Sequence, residues 1–488
     1  MLAFAAIKDL ICNFPRNAYV MRARLRRMLA VSGFVCLANV SPATTSAQTV
    51  TQTTQQALQF SPEVQSLWHS FLGTEDDLDS AEAGYRPTLD FHANYGREFR
   101  SGPGWSNGTN SPFNGGRAEL SFVQMLYDGF QTSGQVENAE SQQLASYFQL
   151  LQQAQSTALQ SYSAHLDVKR AHQLVDLASQ NLEAHRKVYR QIQQSSDAGV
   201  SNSADLDQIT GRLSLAHANL ISARQELQTV QSRYRRVVGT PAPQDLQKPD
   251  LLTLPETLEQ ARYSALEENP EFLAALYQIQ ASEAAVEAQR SGFHPRLDFT
   301  ARYGTQDYDD RGLDNSRNDG RVALELHYNL YNGGRDRAAV RKAYKEVNRT
   351  KANRDNVCYG VRQSVEVAWQ EAQRAGEQLP VLKQHMQSAD RVRRAYQQQF
   401  LIGRRSLLDV LDAENEYFQA SRAFINAEYD QLAAAARVEA SIGTLLSSLN
   451  VVRQDLPALS ELTDSAIKVS PQSACPDDSN VAYRASQP

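Results

Sequence analysis

The chain has 488 residues, a formal net charge of −6 at pH 7 and a mean hydropathy of −0.50. This acidic balance is unfavourable for binding nucleic acid, whose phosphates repel a negatively charged surface. No apolar run reaches the about 18 residues that a transmembrane helix needs. The sequence therefore excludes a helical membrane anchor. Its length could hold two or three ordinary domains, unless an internal repeat sets a larger unit.

A secretory signal is predicted over residues 21–47. It has a basic start in which Met21 is followed by four arginines, an apolar centre from Met28 to Val40, and small residues ending at Ala47. This composition is typical of a segment that is removed after export. We therefore expect residues 1–47 to be a signal region, with translation starting at Met21 and cleavage after Ala47. The segment holds six Lys/Arg and one Asp, so the mature chain is more acidic than the whole.

Four cysteines are present, and two of them, Cys12 and Cys36, lie in the signal region. The remaining two, Cys358 and Cys475, are far apart in the sequence. Two distant thiols do not make the dense pattern of a disulfide-stabilised secreted domain. The sequence therefore predicts no disulfide framework.

An internal repeat organises the rest of the chain. Residues 84–96 recur as residues 292–304 at an offset of 208, with eight of thirteen positions identical. Beyond a loop the offset becomes 204, which aligns Gly116 with Gly320 and persists to the end of each repeat. The predicted domains after the signal are the first repeat, the second repeat and a flexible tail: 48–241, 242–446 and 447–488.

Four short segments alternate apolar and polar residues with the period of a β-strand. From Leu89 the odd positions are apolar and the even ones polar, and the pattern returns from Leu297. Each segment has the roughly 10 to 12 residues of a transmembrane strand. The intervening residues, 97–115 and 305–319, are rich in Gly, Asn, Ser and Asp, so we expect two exposed hairpin loops. The predicted strands are 87–98, 116–128, 295–304 and 320–331.

Two long helical hairpins are predicted after the strand pairs. Gly and Pro are absent between Gly134 and Gly199, and Leu144, Phe148 and Leu151 keep helical spacing. A helix over most of that stretch is about 90 Å long at 1.5 Å per residue, which is more than an ordinary globular domain needs. The predicted hairpins are 131–238 and 334–446, with turns at Gly199 and Gly403. Shorter helical segments are predicted before the strands, at 55–83 and 256–291.

This order of helix, strand hairpin and long helical hairpin, present twice behind a signal peptide, resembles the TolC family of outer-membrane factors. The most specific local match is Gly-Arg-Arg-Ser-Leu-Leu-Asp-Val-Leu-Asp-Ala at 403–413, which is similar to the family's turn and return-helix motif. Pro87 and Pro295 match its strand starts. Leu-Tyr-Asp-Gly-Phe at 126–130 is most similar to the type I secretion branch, which includes exporters of large adhesins.

The resemblance implies an α+β membrane protein. Three protomers each give four strands to a 12-stranded β-barrel, and a periplasmic barrel of α-helical coiled-coil hairpins continues it. The implied function is an outer-membrane channel-tunnel for protein secretion, with drug or solute efflux as the alternative. The implied partners are two further copies, outer-membrane lipid, a periplasmic adaptor and an inner-membrane exporter of the ABC type. The strands themselves favour assembly, because four cannot close a barrel and lipid does not tolerate open edges.

The candidate functional residues lie near the two hairpin turns. In the family resemblance, Asp409 and Asp412 correspond to the periplasmic constriction. Arg405, Asp205 and Phe400 correspond to the gate contacts. Phe400 stands where other members carry a gate tyrosine, so a hydroxyl contact to Asp205 cannot form. From the residues alone, Ser406-x-x-Asp409 is a helix start that acids in the first turn stabilise. The resemblance favours the constriction over this simpler role.

No catalytic motif is found, and no cofactor or metal is expected. The phosphate-binding loop, His-Glu-x-x-His, Cys-x-x-Cys and Gly-x-Ser-x-Gly patterns are all missing from the sequence. His165, His172 and His185 share one predicted helix, and we interpret them as a solvated coiled-coil face rather than a metal site. The rival classes are a periplasmic coiled-coil adaptor, which leaves the four strands unexplained, and a secreted enzyme with a helical stalk, which lacks catalytic residues.

Overall fold

A computed structural model describes residues 47–98, 113–198, 203–310, 313–451, 456–462 and 471–476. Almost all of the predicted signal region, the predicted turn at Gly199 and most of the first strand loop lie outside these residues. Within the described residues, no helix combines the length and the apolar character needed to cross a membrane.

Two successive sets of elements make up the chain, each with two short helices, two strands and two long helices. The first set is α1 (Val50–Phe60), α2 (Pro62–Glu82), β1 (Thr88–Glu98), β2 (Phe113–Tyr127), α3 (Gln131–Asp197) and α4 (Ser203–Val238). The second set is α5 (Leu258–Glu268), α6 (Pro270–Arg290), β3 (Arg296–Asp310), β4 (Leu313–His327), α7 (Arg335–Leu401) and α8 (Leu407–Ile442). The described residues after α8 include the short helices α9 (Leu445–Ser448), α10 (Leu459–Leu462) and α11 (Pro471–Ala474).

Corresponding helices of the two sets are equally long. They have 11, 21, 67 and 36 residues in each set. At 1.5 Å per residue the 67-residue helices α3 and α7 are each roughly 100 Å long. The main apolar core lies around the short helices and the adjoining parts of α3, α7 and α8, and smaller apolar clusters continue along the long helices.

Each helical segment predicted before the strands is divided into two helices by a proline. Pro62 and Pro270 occupy the first turn of the second helix, where a missing N–H is tolerated. The Asn269 side chain accepts a hydrogen bond from the N–H of Phe272 at 3.1 Å, and Ser61 caps the other junction in the same way. Both predicted segments are helical, and the residue before each proline ends one helix and caps the next.

The four strands form one antiparallel sheet in the order β1-β2-β3-β4. The register places Leu89 opposite Phe122, Phe122 opposite Ala301 and Ala301 opposite Val322. Apolar residues of all four strands therefore share one face, as the alternation in the sequence indicates. This face is uncovered in the protomer, since Leu89 is 65% exposed and Val322 is 70% exposed.

The second strand hairpin is longer than predicted. The expected loop at 305–319 is mostly strand, because β3 continues to Asp310 and β4 starts at Leu313. Thr305 pairs with Asn318 across the two strands. The ladder hydrogen bonds come from the backbone, so polar side chains do not prevent pairing. Polar composition alone was a poor guide to the end of these strands.

The described parts of the predicted C-terminal tail contact the helical body, and the flexibility of the tail as a whole stays a prediction. Cys475 forms a disulfide with Cys358 of α7, a single bond that the sequence analysis did not anticipate. Arg362 of α7 donates a hydrogen bond to the carbonyl oxygen of Pro476 at 2.7 Å, and Leu449 packs into the main core. Folding brings the cysteines together, which a separation of 117 residues along the chain does not reveal.

Two of the α3 histidines are buried rather than solvated. His165 is fully buried, with Nδ1 2.9 Å from Thr53 Oγ1 and Nε2 2.8 Å from the carbonyl oxygen of Gln247. His185 is also buried. Burial lowers the pKa of His165, which keeps its ring neutral at pH 7. The solvated-face interpretation is wrong at His165 because α1 and the segment before α5 cover α3 there. Among the residues that the structure describes, no group of His, Cys, Asp or Glu is arranged to hold a metal ion.

Opening the disulfide should release the tail. Closing a loop with a separation of 117 residues is expected to stabilise the fold by about 4 to 5 kcal/mol through the entropy of the unfolded chain. We expect Cys475→Ser to increase the rate of limited proteolysis within residues 456–476 several-fold, measured by mass spectrometry of the fragments. Reductant should produce the same change in the parent protein and no further change in the variant. Identical digestion of the oxidised parent and the variant would contradict the attachment.

Candidate functional site at the turn between α7 and α8

The turn after α7 is closed by a glycine in the left-handed region. Gly403 has φ of +74°, a conformation that glycine adopts at little cost. Its N–H donates to the carbonyl oxygen of Phe400 at 3.0 Å, and the N–H of Arg404 donates to that of Gln399 at 2.8 Å. These bonds satisfy the last carbonyl groups of the helix. The chain can then reverse and begin α8 after Ser406.

Asp409 and Ser406 together cap the start of α8. The Asp409 N–H donates to Ser406 Oγ at 3.2 Å, while Asp409 Oδ2 accepts from the Ser406 N–H at 3.1 Å and from its hydroxyl at 2.9 Å. This reciprocal arrangement is a capping box. The hydrogen bond from the Ser406 side chain, with that from its backbone, holds the pKa of Asp409 below its ordinary value. Its stabilising effect is therefore present at neutral pH and is lost as the pH falls through that lowered pKa.

Asp412 is paired with a residue of the first set of elements. Its Oδ1 lies 3.1 Å from Nη2 of Arg212 on α4. The ion pair joins α4 to α8 across 200 residues of sequence. Asp409 and Asp412 are three positions apart on one helix, but their described partners differ. Asp409 binds Ser406 at the start of its own helix, whereas Asp412 binds Arg212 of the first helical hairpin.

Arg405 contacts its own hairpin in three ways. Its guanidinium lies 4.2 Å from the centre of the Tyr396 ring, Nε donates to Gln399 Oε1 at 3.1 Å, and Nη1 lies 3.8 Å from Asp409 Oδ1. A cation over an aromatic face is attracted by the charge distribution of the ring. These contacts hold Arg405 against the end of α7. Its expected partner Asp205 lies in the first turn of α4, and a contact to that residue in a neighbouring protomer stays a prediction.

Phe400 packs at the edge of an apolar cluster between the two hairpins. The buried members of this cluster come from α3, α4 and α8: Val188, Ile192, Ile209, Leu407 and Leu411. Phe400 therefore contributes apolar contact, consistent with the expectation that it offers no hydroxyl to Asp205. The aromatic ring that contacts Arg405 is Tyr396, one helical turn earlier, which sequence reasoning did not single out.

A family model described as outer membrane efflux protein matches residues 53–240 and, a second time, residues 261–444. The two matches together cover well over half of the chain. The chain belongs to the outer membrane efflux protein family. This membership confirms the resemblance to TolC-like outer-membrane factors, and it makes the chain a non-enzymatic channel protein through which substrates are exported.

Relatives of this outer membrane efflux protein include both efflux and secretion proteins. It is 28% identical over 371 residues to the outer membrane efflux protein BepC of Brucella suis biovar 1, covering 74% of this chain and 78% of BepC. It is 25% identical over 403 residues to the alkaline protease secretion protein AprF of Pseudomonas aeruginosa, covering 77% of this chain and 82% of AprF.

The fold is similar to that of solved outer-membrane channels. The crystal structure of the open state of the Neisseria gonorrhoeae MtrE outer membrane channel superposes with a TM-score of 0.69 at 17% identity, covering 81% of this chain and 89% of MtrE. The mostly helical protomer with its four-stranded sheet is therefore a TolC-like fold.

Sequence reasoning also missed a buried charged group between α7 and α8 of this efflux protein. Glu414 is 3% exposed, accepts a hydrogen bond from Gln397, and lies 3.6 Å from Nη1 of Arg393. The Arg393 guanidinium in turn lies 4.1 Å from the centre of the Tyr417 ring. A buried carboxylate is tolerated when it has partners of this kind. One signal was available, since Glu414 follows Leu411 at helical spacing on the apolar stripe of α8.

Replacing Arg212 with Gln should loosen α4 from α8. The pair is partly exposed, with side-chain exposures of 31% for Arg212 and 59% for Asp412, so we expect a loss of about 0.2 to 1 kcal/mol. Asp412→Asn should cost a similar amount, and the double variant should cost no more than either single one. Guanidinium chloride unfolding followed by circular dichroism measures this cycle. Strictly additive losses would show that the two side chains do not interact.

Proposed function

We propose that three copies of this chain form an outer-membrane channel, with the strands in the membrane and the long helices in the periplasm. One observation carries the proposal: β1 and β4 are the edges of a four-stranded sheet whose apolar face is exposed. In lipid, each backbone group left unpaired at such an edge costs several kcal/mol. Pairing β4 of one copy with β1 of the next removes both edges, and three copies give a closed 12-stranded barrel.

Aromatic residues at both ends of the apolar face support its insertion into a membrane. Tyr95 and Tyr303 lie towards the loop end and are 79% and 62% exposed, while Tyr85 and Tyr328 lie towards the helical end and are 49% and 51% exposed. The 11 residues of β1, Thr88–Glu98, extend roughly 33 Å, and a strand tilt of about 40° reduces this to roughly 25 Å. Outer-membrane barrels have an apolar band of about that height between two aromatic girdles.

The long helical hairpins suit a tunnel that continues the barrel into the periplasm. Helices of roughly 100 Å reach far beyond the membrane surface. A periplasmic adaptor and an inner-membrane exporter, of the ABC type for a protein cargo, dock on this part and supply the energy. The names of AprF and BepC, a protease secretion protein and an efflux protein, support secretion of protein and efflux respectively.

Fractionation tests the assembly, and a gene deletion tests the cargo. The proposal requires a heat-modifiable oligomer in the outer membrane that conducts ions in planar bilayers. A soluble periplasmic protein without conductance would exclude it in favour of a coiled-coil adaptor. Deleting the gene should deplete secreted proteins if the cargo is protein, and should increase sensitivity to toxic solutes if it is small molecules.

The periplasmic entrance lies, in this proposal, at the turn between α7 and α8. Asp409 and Asp412 line the constriction of each protomer, and Arg405 helps to keep it closed through the neighbouring Asp205. Two features support this: Asp409 is held ionised by its capping bonds, and Arg405 is fixed at the end of α7 by Tyr396. Crowding of six carboxylates in a trimer should raise some of their pKa values, opposing the lowering within one protomer.

Placing a charge on the apolar face should disrupt insertion. Leu324 of β4 is 66% exposed and lies opposite Phe299, so Leu324→Arg should destabilise the inserted trimer by about 2 to 4 kcal/mol near the middle of the bilayer. The yield of heat-modifiable trimer in outer membranes measures the effect. The matched control is Ala323→Arg, which places the same charge on the opposite face of the strand and should assemble. Normal assembly of Leu324→Arg would show that the membrane face is assigned incorrectly.

Removing the gate arginine should open the channel. Arg405→Ser abolishes both the contact with Tyr396 and the proposed contact with the next protomer, so single-channel conductance in planar bilayers should increase. Arg404→Ser, which removes the same charge one position earlier, should change conductance less. Unchanged conductance of an intact Arg405→Ser trimer would rule out a gating role.

Removing the two entrance acids should abolish cation preference. Rings of carboxylates favour cations in channels, so the parent should select K⁺ over Cl⁻ in a KCl gradient and be blocked by hexamminecobalt. Asp409→Asn combined with Asp412→Asn should weaken both properties. Glu416→Gln, which removes another exposed acid of α8, serves as the control and should keep them. If the double variant keeps its selectivity and its block, Asp409 is a helix cap without a role in conduction.

A further inference from the structure

The polar face of the sheet contains a hollow above Gly304. In the register, Gly304 of β3 lies between Glu119 of β2 and Asp319 of β4. Because glycine has no side chain, the surrounding side chains border a partly open hollow of about 180 Å³. A Cβ at Gly304 would come within 3.2 Å of the carbonyl oxygen of Ala118, so the backbone itself approaches closely there. Polar residues of three strands line the hollow: Arg117, Glu119, Arg302, Gln306, Asp319 and Arg321.

Two of the three arginines in this hollow face each other directly. Arg302 of β3 is the cross-strand partner of Arg321 of β4. Like charges placed directly opposite destabilise a strand pair, because their Cβ atoms are about 5 Å apart. A negative group between the two guanidinium groups would convert this repulsion into attraction. Positive charge is therefore concentrated between Arg302 and Arg321, where it would attract an anion.

The nearby carboxylates offset only part of the charge of the three arginines. Asp319 Oδ1 lies 2.8 Å from Nε of Arg317. Glu325 Oε1 accepts a hydrogen bond from the Thr300 hydroxyl at 3.1 Å and lies 3.9 Å from the Arg321 guanidinium. Glu119 and Asp319 are the two carboxylates that line the hollow beside three arginines, which leaves an excess of one positive charge among the lining residues.

The third arginine is already oriented by a neutral partner. Nη2 of Arg117 donates a hydrogen bond to Gln306 Oε1 at 3.1 Å. An amide oxygen orients a guanidinium without cancelling its charge. Arginine presents a planar fork of N–H donors that matches the oxygens of carboxylate and phosphate groups. The hollow thus combines charge, preorganised donors and space for a group of a few atoms.

We propose that this hollow binds an oxyanion group, a carboxylate or a phosphate, between Arg302 and Arg321 with Arg117 at its edge. The inference rests on the proposed function, because the polar face of the sheet lines a water-filled lumen only when the barrel is closed. Tyr95 and Tyr303 lie on the opposite face near the loop end of the strands, so the site is near the external mouth. Exported cargo would then pass acidic residues at the periplasmic entrance and basic residues near the external mouth. The oxyanion is either a free ion or an acidic group of the passing cargo.

Block of the open channel by an added oxyanion tests the site. The full-length trimer is reconstituted in planar bilayers in symmetrical KCl, and inorganic phosphate or a triglutamate peptide is added on the barrel side. Phosphate is expected to reduce the conductance in a saturable manner. An equal or stronger effect of the peptide would assign the site to acidic groups of cargo, and a weaker effect would assign it to free anions. Absence of block by both would overturn the proposal.

Variants locate the block. Arg302→Gln combined with Arg321→Gln should raise the half-blocking phosphate concentration at least tenfold. Gln306→Glu supplies a resident carboxylate beside Arg117 without removing an arginine, and it should raise that concentration too, which keeps the test valid if the double variant fails to assemble. The control is Arg296→Gln, which removes a charge from β3 at a residue bound to Asp298 at 2.7 Å. An equal shift in this control would show a general effect of lumen charge and overturn the site.

The same recordings separate failure of this inference from failure of the proposed function. A parent protein that conducts but is not blocked retains the channel and loses the anion site. A parent protein that forms no channel removes the basis of both.

Discussion

The outer edges of β1 and β4 impose the first constraint on this outer membrane efflux protein. Among the residues that the structure describes, their outer backbone groups have no strand partner, and the apolar face that they border is uncovered. Lipid has no groups that can hydrogen-bond to these edges. The apolar face, in contrast, can stay in contact with lipid. In the proposed trimer the strands therefore set the number of copies, and α3, α4, α7 and α8 must follow the same symmetry around one axis. In that proposed assembly, the arrangement of the long helices follows from the arrangement of the sheet.

Much of this fold could be predicted because its periods are long and regular. Alternation from Leu89 and Leu297 identified the strands, and the constant offset between repeats indicated helices of equal length. What escaped prediction depends on contacts between distant residues. The Cys358–Cys475 disulfide and the burial of His165 arise from segments that fold back over α3 and α7, and no local pattern reports such a return. Polar composition likewise concealed strand pairing at 305–319, since the ladder is made by the backbone.

At the candidate site, the local features were predictable and the partners were not. Gly403 and the capping role of Asp409 follow from short motifs. The pairing of Asp412 with Arg212 joins residues 200 positions apart, so only the fold could reveal it. The two interpretations of Asp409 also prove compatible in chemical terms. Its capping bonds use Oδ2, and the other oxygen faces the charge of Arg405, so one carboxylate can start a helix and still contribute to the electrostatics of an entrance.

The identical lengths of corresponding helices have a consequence for how such a chain can change. Inserting one residue into α3 would advance everything beyond it by 1.5 Å and rotate it by about 100°, which would turn its apolar seam away from α4 and α8. A matching insertion in α7 would be needed to keep the two turns level, and in a trimer each error would occur three times. Substitutions can therefore accumulate independently in the two halves, whereas changes of length must be made jointly. Equal helix length in the two halves is therefore a constraint on divergence that their amino-acid identities do not share.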